Sequence, residues 1–127
     1  MKMHTGFITR NLQECKAFYE QYFGFEVIYE VEWFVLLRKG PYELAFMQPE
    51  LPGQHRLFQP VFSQGIWLAM EVGDVDAEYQ RLSETGAPIV TKPKNEAWGD
   101  RHFVVEDPNG MGVDVYMRLP VEETEKV

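Results

Sequence analysis

One cysteine, Cys15, is all that the 127 residues contain, which excludes an internal disulfide and any cysteine-based zinc site and fits a reducing compartment. Basic residues are also few: 12 Lys and Arg against 20 Asp and Glu leave a formal net charge of −8. That is the wrong sign for a chain that gains affinity by neutralising phosphates, so neither nucleic acid nor an anionic membrane is expected as a partner. Apolar runs such as Trp33 to Leu37 fall far short of the ~20 residues a membrane helix needs. Met1 to Gly6 carries no apolar signal region, and a cytoplasmic protein is expected. There is no glycine-rich phosphate loop, no nucleophile-elbow serine and no Cys–His pair in a recognisable local context. Any metal would have to use histidine and carboxylates.

What is present is a core. Hydrophobic residues make up 45% and charged residues 25%, the balance of a chain that folds alone, and the length suits a single domain over 1–127. Asn11 is a good helix N-cap with Glu14 at the N3 position, and Leu12, Cys15, Tyr19 and Tyr22 recur at helical steps until Gly24 stops them. This predicts an amphipathic helix of about three turns, with Cys15 buried and inert. Phe25, Val27, Tyr29 and Val31 then alternate with Glu26, Ile28, Glu30 and Glu32, as in a strand with one buried face. Further strands are expected at Trp33 to Arg38 and Tyr42 to Met47, and a short one before the helix at Met3 to Thr9.

The second half repeats this order. Ile66 to Val72 reads as a strand; Asp74 caps a helix whose Val75, Tyr79 and Leu82 share a face, and Gly86 ends it. Ala87 to Thr91, Arg101 to Val105 and Gly112 to Met117 are the strands expected after it. The simplest account is α+β: two βαβββ modules, about 3–47 and 66–118, joined by a linker over 48–65. The linker holds three prolines and two glycines, but also Phe58 and Phe62, so it is expected to lie against the protein.

Each half places one acid in its last strand, Glu43 between Tyr42 and Leu44 and Asp114 between Val113 and Val115. An unpaired carboxylate costs several kcal/mol to bury, so each must reach water or a partner. With His4 they would make a hard-to-borderline divalent metal site, although sequence spacing cannot show that they converge. The bland alternative is a solvated face that binds nothing. His55 and His102 are read as surface or satisfied histidines. Trp33, Trp67 and Trp98, with Phe58, Phe62 and Tyr116, could line an aromatic pocket for a flat, neutral or cationic small molecule.

The stretch His4-Thr5-Gly6-Phe7-Ile8, followed by Asn11-Leu12 and Ala17-Phe18-Tyr19-Glu20-Gln21-Tyr22-Phe23-Gly24-Phe25-Glu26-Val27, resembles the opening of the vicinal oxygen chelate superfamily. This is the group of glyoxalase I, the bleomycin and fosfomycin resistance proteins and the extradiol dioxygenases. Trp98-Gly99-Asp100-Arg101-His102-Phe103-Val104-Val105-Glu106-Asp107-Pro108-Asn109-Gly110 is similar to its second hallmark, and the resemblance spans about residues 3 to 118. It implies two βαβββ modules whose curved mixed sheets surround a cup-shaped site, commonly in a homodimer.

In metal-dependent members the ligands occupy first and last strands, positions that fall here on His4, Glu43, Trp67 and Asp114. Trp67 departs from the pattern, since an indole cannot ligate a divalent cation. The resemblance therefore implies a small-molecule-binding protein similar to bleomycin-type resistance proteins, metal-free or weakly metallated. Its ligand-binding residues would be Trp67, Trp33, Trp98, Tyr116, Phe58 and Arg101. The alternative is a divalent-metal-dependent glyoxalase-like lyase or isomerase, or a dioxygenase, with His4, Glu43 and Asp114 on the metal and Glu43 or Asp114 as general base. Enzyme and binding protein both stay open, as does the cofactor: none, or one divalent metal ion.

Overall fold

The computed structural model describes residues 1–62 and 64–120 and resolves into two compact units, Met1–Ser63 and Gln64–Val127. Unit 1 runs β1 (Thr5–Ile8), α1 (Leu12–Phe23), β2 (Glu26–Val31), β3 (Phe34–Lys39) and β4 (Tyr42–Met47). Unit 2 runs β5 (Trp67–Glu71), α2 (Val75–Glu84), β6 (Lys94–Asn95), β7 (Asp100–Glu106) and β8 (Gly112–Arg118). The sheet orders correspond, β1-β4-β3-β2 and β5-β8-β7-β6, each with one parallel pair between its first and last strands. The two open, four-stranded mixed sheets with one helix apiece are the expected βαβββ modules. No helix among the described residues is long and apolar enough to cross a membrane.

In unit 1 the helix-facing side is aromatic. Tyr19 of α1 stacks on Phe46 of β4 with ring centroids 5.4 Å apart, Phe7 of β1 lies 5.5 Å from Phe46, and Phe18 meets Tyr19 edge-on at 4.9 Å. Gly24 closes α1 in the left-handed region (φ 69°), where its N–H reaches the Glu20 carbonyl. Asn11 takes the N-cap position, but its side chain does not make the cap hydrogen bond. The buried Thr9 hydroxyl instead accepts from the Asn11 N–H at 2.9 Å.

One expectation fails at β2. A bulge at Ile28 inserts an extra residue, so that Val27 pairs with Leu37 but Tyr29 pairs with Leu36. An odd insertion swaps the two faces of a period-2 strand. Tyr29 is consequently exposed, while Glu30 swings to the helix side and accepts hydrogen bonds from Lys16 Nζ at 2.9 and 3.1 Å.

In unit 2 the helix side is mostly aliphatic: Val75 and Leu82 of α2 and Val105, Val113 and Val115 of the sheet are all buried, with Tyr79 edge-on to Phe103. Asp74 caps α2, its side chain accepting from the Ala77 N–H at 3.1 Å. The expected strand at Ala87 to Thr91 is reduced to a single bridge, Ile89 to Val105, and the fourth strand is only Lys94–Asn95. Pro88 and Pro93 bracket this stretch and lack the N–H groups that a continuous ladder needs.

Linker residues fold back on unit 1. The Gln48 N–H donates to the Trp33 carbonyl at 3.0 Å, and Arg10 pairs with Glu50 at 2.5 Å. A single 3-10 turn covers Arg56–Phe58, yet Phe58 and Phe62 keep their rings exposed.

Candidate functional site on the helix-free sheet faces

Strand alternation sorts the candidate residues. In unit 2, α2 contacts the face carrying Phe103, Val105, Val113 and Val115, and the opposite face carries His102 and Val104 of β7 with Asp114 and Tyr116 of β8. The parallel register Ala69↔Asp114 adds Trp67, Ala69 and Glu71 of β5 to that helix-free face. The Tyr116 hydroxyl donates to Glu71 at 3.3 Å, as the register requires.

At its centre stands an ion chain. His102 pairs across the hairpin with Tyr116, and its diagonal neighbour is Asp114, whose Oδ1 lies 2.5 Å from His102 Nδ1. The second ring nitrogen, Nε2, faces Glu96 Oε2 at 3.2 Å, and Lys94 Nζ lies 3.3 Å from the other Glu96 oxygen. Both ring nitrogens therefore meet carboxylates, and His102, Glu96 and Asp114 are all partly buried. Burial opposes charge on the imidazole, but the hydrogen bonds and negative charges of Asp114 and Glu96 outweigh it and hold the His102 pKa above its ordinary value. Burial pushes the Glu96 carboxyl up, and His102 and Lys94 more than reverse this, leaving it below the usual carboxylate range.

Aromatic groups surround the chain. The loop after β6 sets the Trp98 ring edge-on to His102, centroids 6.0 Å apart, and Trp98 remains 65% exposed. Trp67 is 66% exposed at the start of β5. Arg118 covers the Tyr116 ring at 5.3 Å. Partial burial and the neighbouring Glu71 both raise the Tyr116 pKa, so its phenol stays a hydrogen-bond donor.

Arg101 lies on the other face. Its guanidinium grips Asp76 of α2 through Nε at 3.1 Å and a terminal nitrogen at 2.9 Å, and donates to Asn95 at 2.9 Å. This fork fastens the two-residue β6 to the helix.

In unit 1, Glu43 is on the helix-free face of β4, and carrying the register Thr5↔Leu44 back one residue brings His4 level with it. The Glu43 side chain is only 8% exposed, with Lys2 Nζ 3.9 Å from its carboxylate. Trp33 sits in the β2–β3 turn, edge-on to Phe34 at 5.9 Å, and Phe58 lies on the 3-10 turn. Unit 1 thus carries His4, Glu43, Trp33 and Phe58, while unit 2 gathers Asp114, Tyr116, Trp67 and Trp98 on one face.

At the two unit 2 positions, Trp67 has no lone pair to give a cation, and Asp114 Oδ1 is hydrogen-bonded to His102. Among the described residues no group of three or more His, Cys, Asp or Glu side chains is disposed to hold a metal ion. His102 and Glu96 are the site residues that reading single positions overlooks. A signal for His102 was available, because the turn at Asp107 to Gly110 fixes the hairpin register and puts His102 and Asp114 on one face.

The family model of the Glyoxalase/Bleomycin resistance protein/Dioxygenase superfamily matches residues 3–115. Among solved structures, a glyoxalase/bleomycin resistance protein/dioxygenase from Nocardioides superposes with a TM-score of 0.79 at 19% identity, covering 95% of this chain and 85% of that one. A bleomycin resistance determinant encoded on the transposon Tn5 gives 0.68 at 20% identity, covering 93% and 98%. At such identities these likenesses speak to the fold alone. An uncharacterized protein of Mycobacterium bovis is 44% identical over 45 residues, which is 35% of this chain and 30% of that relative.

Proposed function

Since the chain belongs to the glyoxalase/bleomycin resistance protein/dioxygenase superfamily, we propose that it is a small-molecule-binding protein whose ligand stacks on the helix-free face of unit 2 without a metal there. The observation that carries this reading is Trp67, a largely exposed indole on the same face as an Asp114 carboxylate already committed to His102. Trp98 and Tyr116 extend the aromatic surface, and the net charge of −8 favours a flat ligand that is neutral or cationic. The proposal includes a homodimer, which light scattering after size exclusion checks.

Tryptophan fluorescence tests the site. Titration with a panel of planar neutral and cationic aromatic compounds is expected to give saturable quenching by at least one, weakened at least ~10-fold by Trp67→Leu, the loss of about 1.4 kcal/mol of stacking. Binding that is indifferent to both Trp67→Leu and Trp98→Leu contradicts the reading.

A second reading draws on the Thr5↔Leu44 register of unit 1, which extended by one residue sets His4 beside Glu43. It is the divalent-metal-dependent lyase, isomerase or dioxygenase using His4, Glu43 and Asp114. A melting temperature raised by Mn²⁺, Ni²⁺, Zn²⁺ or Fe²⁺, and no longer raised in His4→Ala, would favour it.

A further inference from the structure

A glycine paired on both sides in a sheet gives up side-chain packing and costs backbone entropy, so it is kept where its conformation, a crowded neighbour or an approaching group requires it. Gly112 of β8 meets neither of the first two requirements. Its φ lies outside the left-handed region, and a Cβ built on it would touch only Val104, at 3.6 Å, an ordinary van der Waals distance. The missing side chain leaves open space on the helix-free face of unit 2. Register sets the borders of that space: Gly112 is level with Trp67 on one side and Glu106 on the other, and the next row of the same face is Ala69, Asp114 and Val104. Two strand spacings, about 10 Å, therefore separate the Trp67 and Glu106 backbones, with only a glycine between them. The Glu106 carboxylate is available. Asp114 is bonded to His102, Glu71 accepts from Tyr116, Glu96 faces Lys94 and Asp100 faces Arg118, whereas the exposed Glu106 side chain has no hydrogen bond or ion pair among the described residues.

We propose that Gly112 is the floor of a seat for a planar organic cation, with the Trp67 indole as its stacking partner and the Glu106 carboxylate as the counter-ion that selects a charged ligand over a neutral one. The assignment deepens the small-molecule-binding reading above and rests on it. A flat ring over Gly112 reaches the exposed indole and covers Ala69 and Val104, and a positive charge on that ring gains further from the indole π-face and from Glu106. A neutral ring of the same shape keeps the first gain and forgoes the second. An anion would meet the Glu106 and Asp114 carboxylates and is repelled.

The test uses the full chain, with N-methylquinolinium chloride and quinoline as probes just above neutral pH, where quinoline is uncharged, and with equilibrium dialysis and melting temperature as readouts. Wild type is expected to bind N-methylquinolinium at least ~10-fold more tightly than quinoline, and Trp67→Leu to weaken both at least ~10-fold. Glu106→Gln should lose at least ~5-fold in affinity for the cation and leave quinoline unchanged, while Glu84→Gln, which removes the same charge from the exposed side of α2, should change neither. Gly112→Val fills the seat with a side chain that suits a strand; it should melt no lower than wild type and lose at least ~10-fold in affinity for both probes. Gly112→Val binding as wild type does, or Glu84→Gln weakening the cation as much as Glu106→Gln, overturns the proposal and leaves Trp67-dependent stacking standing. A Gly112→Val chain that melts well below wild type overturns it too, because packing then demands the glycine. Saturable binding of neither probe, or binding indifferent to Trp67→Leu, also overturns it, and the wider panel of compounds with Trp98→Leu then decides the stacking reading separately.

Discussion

The two units share a strand order and a helix position, and they differ most on the faces their helices leave uncovered. In unit 1 that face sets Leu36, Ala45 and Met47 beside a row of charged residues in register, Glu43 level with Arg38 and Arg38 with Glu26. In unit 2 it carries the Lys94–Glu96–His102–Asp114 chain ringed by Trp67, Trp98 and Tyr116. The helix-covered faces diverge only in how they fill space, aromatic stacking in one and valines and leucine in the other. Patterning of apolar residues suffices to repeat a fold, whereas chemistry is decided by a few polar positions on the free face.

The largest effect is expected in the aromatic core. Phe46→Ala removes the ring on which both Tyr19 and Phe7 stack and should cost about 3–5 kcal/mol in urea unfolding. Next comes the free face of unit 2. His102→Leu leaves Asp114 without its partner and should cost about 1–3 kcal/mol, and His102→Leu/Asp114→Asn should recover part of it.

The same contact gives unit 2 a pH signature. The His102 pKa is raised in the folded protein, so its stabilisation is complete below the ordinary histidine value of ~6.5 and fades as pH rises through the higher folded value. The urea midpoint of wild type should fall across that window, and His102→Gln should lose this part of the slope. The smallest effect tests the helix caps. Asp74→Ala removes the side-chain cap of α2 and should cost about 1 kcal/mol.

Much of the fold was legible because it follows from local rules. Gly24 and Asp74 end and begin helices where their chemistry says they should, and the turn at Asp107 to Gly110 joins β7 to β8. The buried Asp107 carboxylate accepts from the Asn109 and Met111 N–H groups at 2.9 and 2.8 Å, which explains why that turn is so recognisable. The face swap in β2 was not legible, since nothing in Glu26 to Val31 marks Ile28 as the bulged residue. The alternation seen in the sequence is real, but the ladder breaks it, and Lys16 on α1 rewards the break by pairing with Glu30.

At the candidate site the acids were legible and their partner was not. Asp114 stands out as a charge between valines, whereas His102 looks like an ordinary strand residue until the hairpin register is drawn. Arg101, its neighbour, was expected beside a ligand and instead clamps β6 to α2, because successive strand residues face opposite sides. Reading pairs of strands together recovers what reading single positions loses.

The central claim is that the free face of unit 2 is an aromatic surface whose Asp114 carboxylate pairs with His102. The most direct test is elemental analysis of wild type and Asp114→Asn purified without chelator or nickel affinity, followed by titration of both with Mn²⁺. The account predicts no stoichiometric metal at Asp114 and indistinguishable melting curves with and without Mn²⁺ for the two proteins. Stoichiometric metal in wild type that disappears in Asp114→Asn would contradict it.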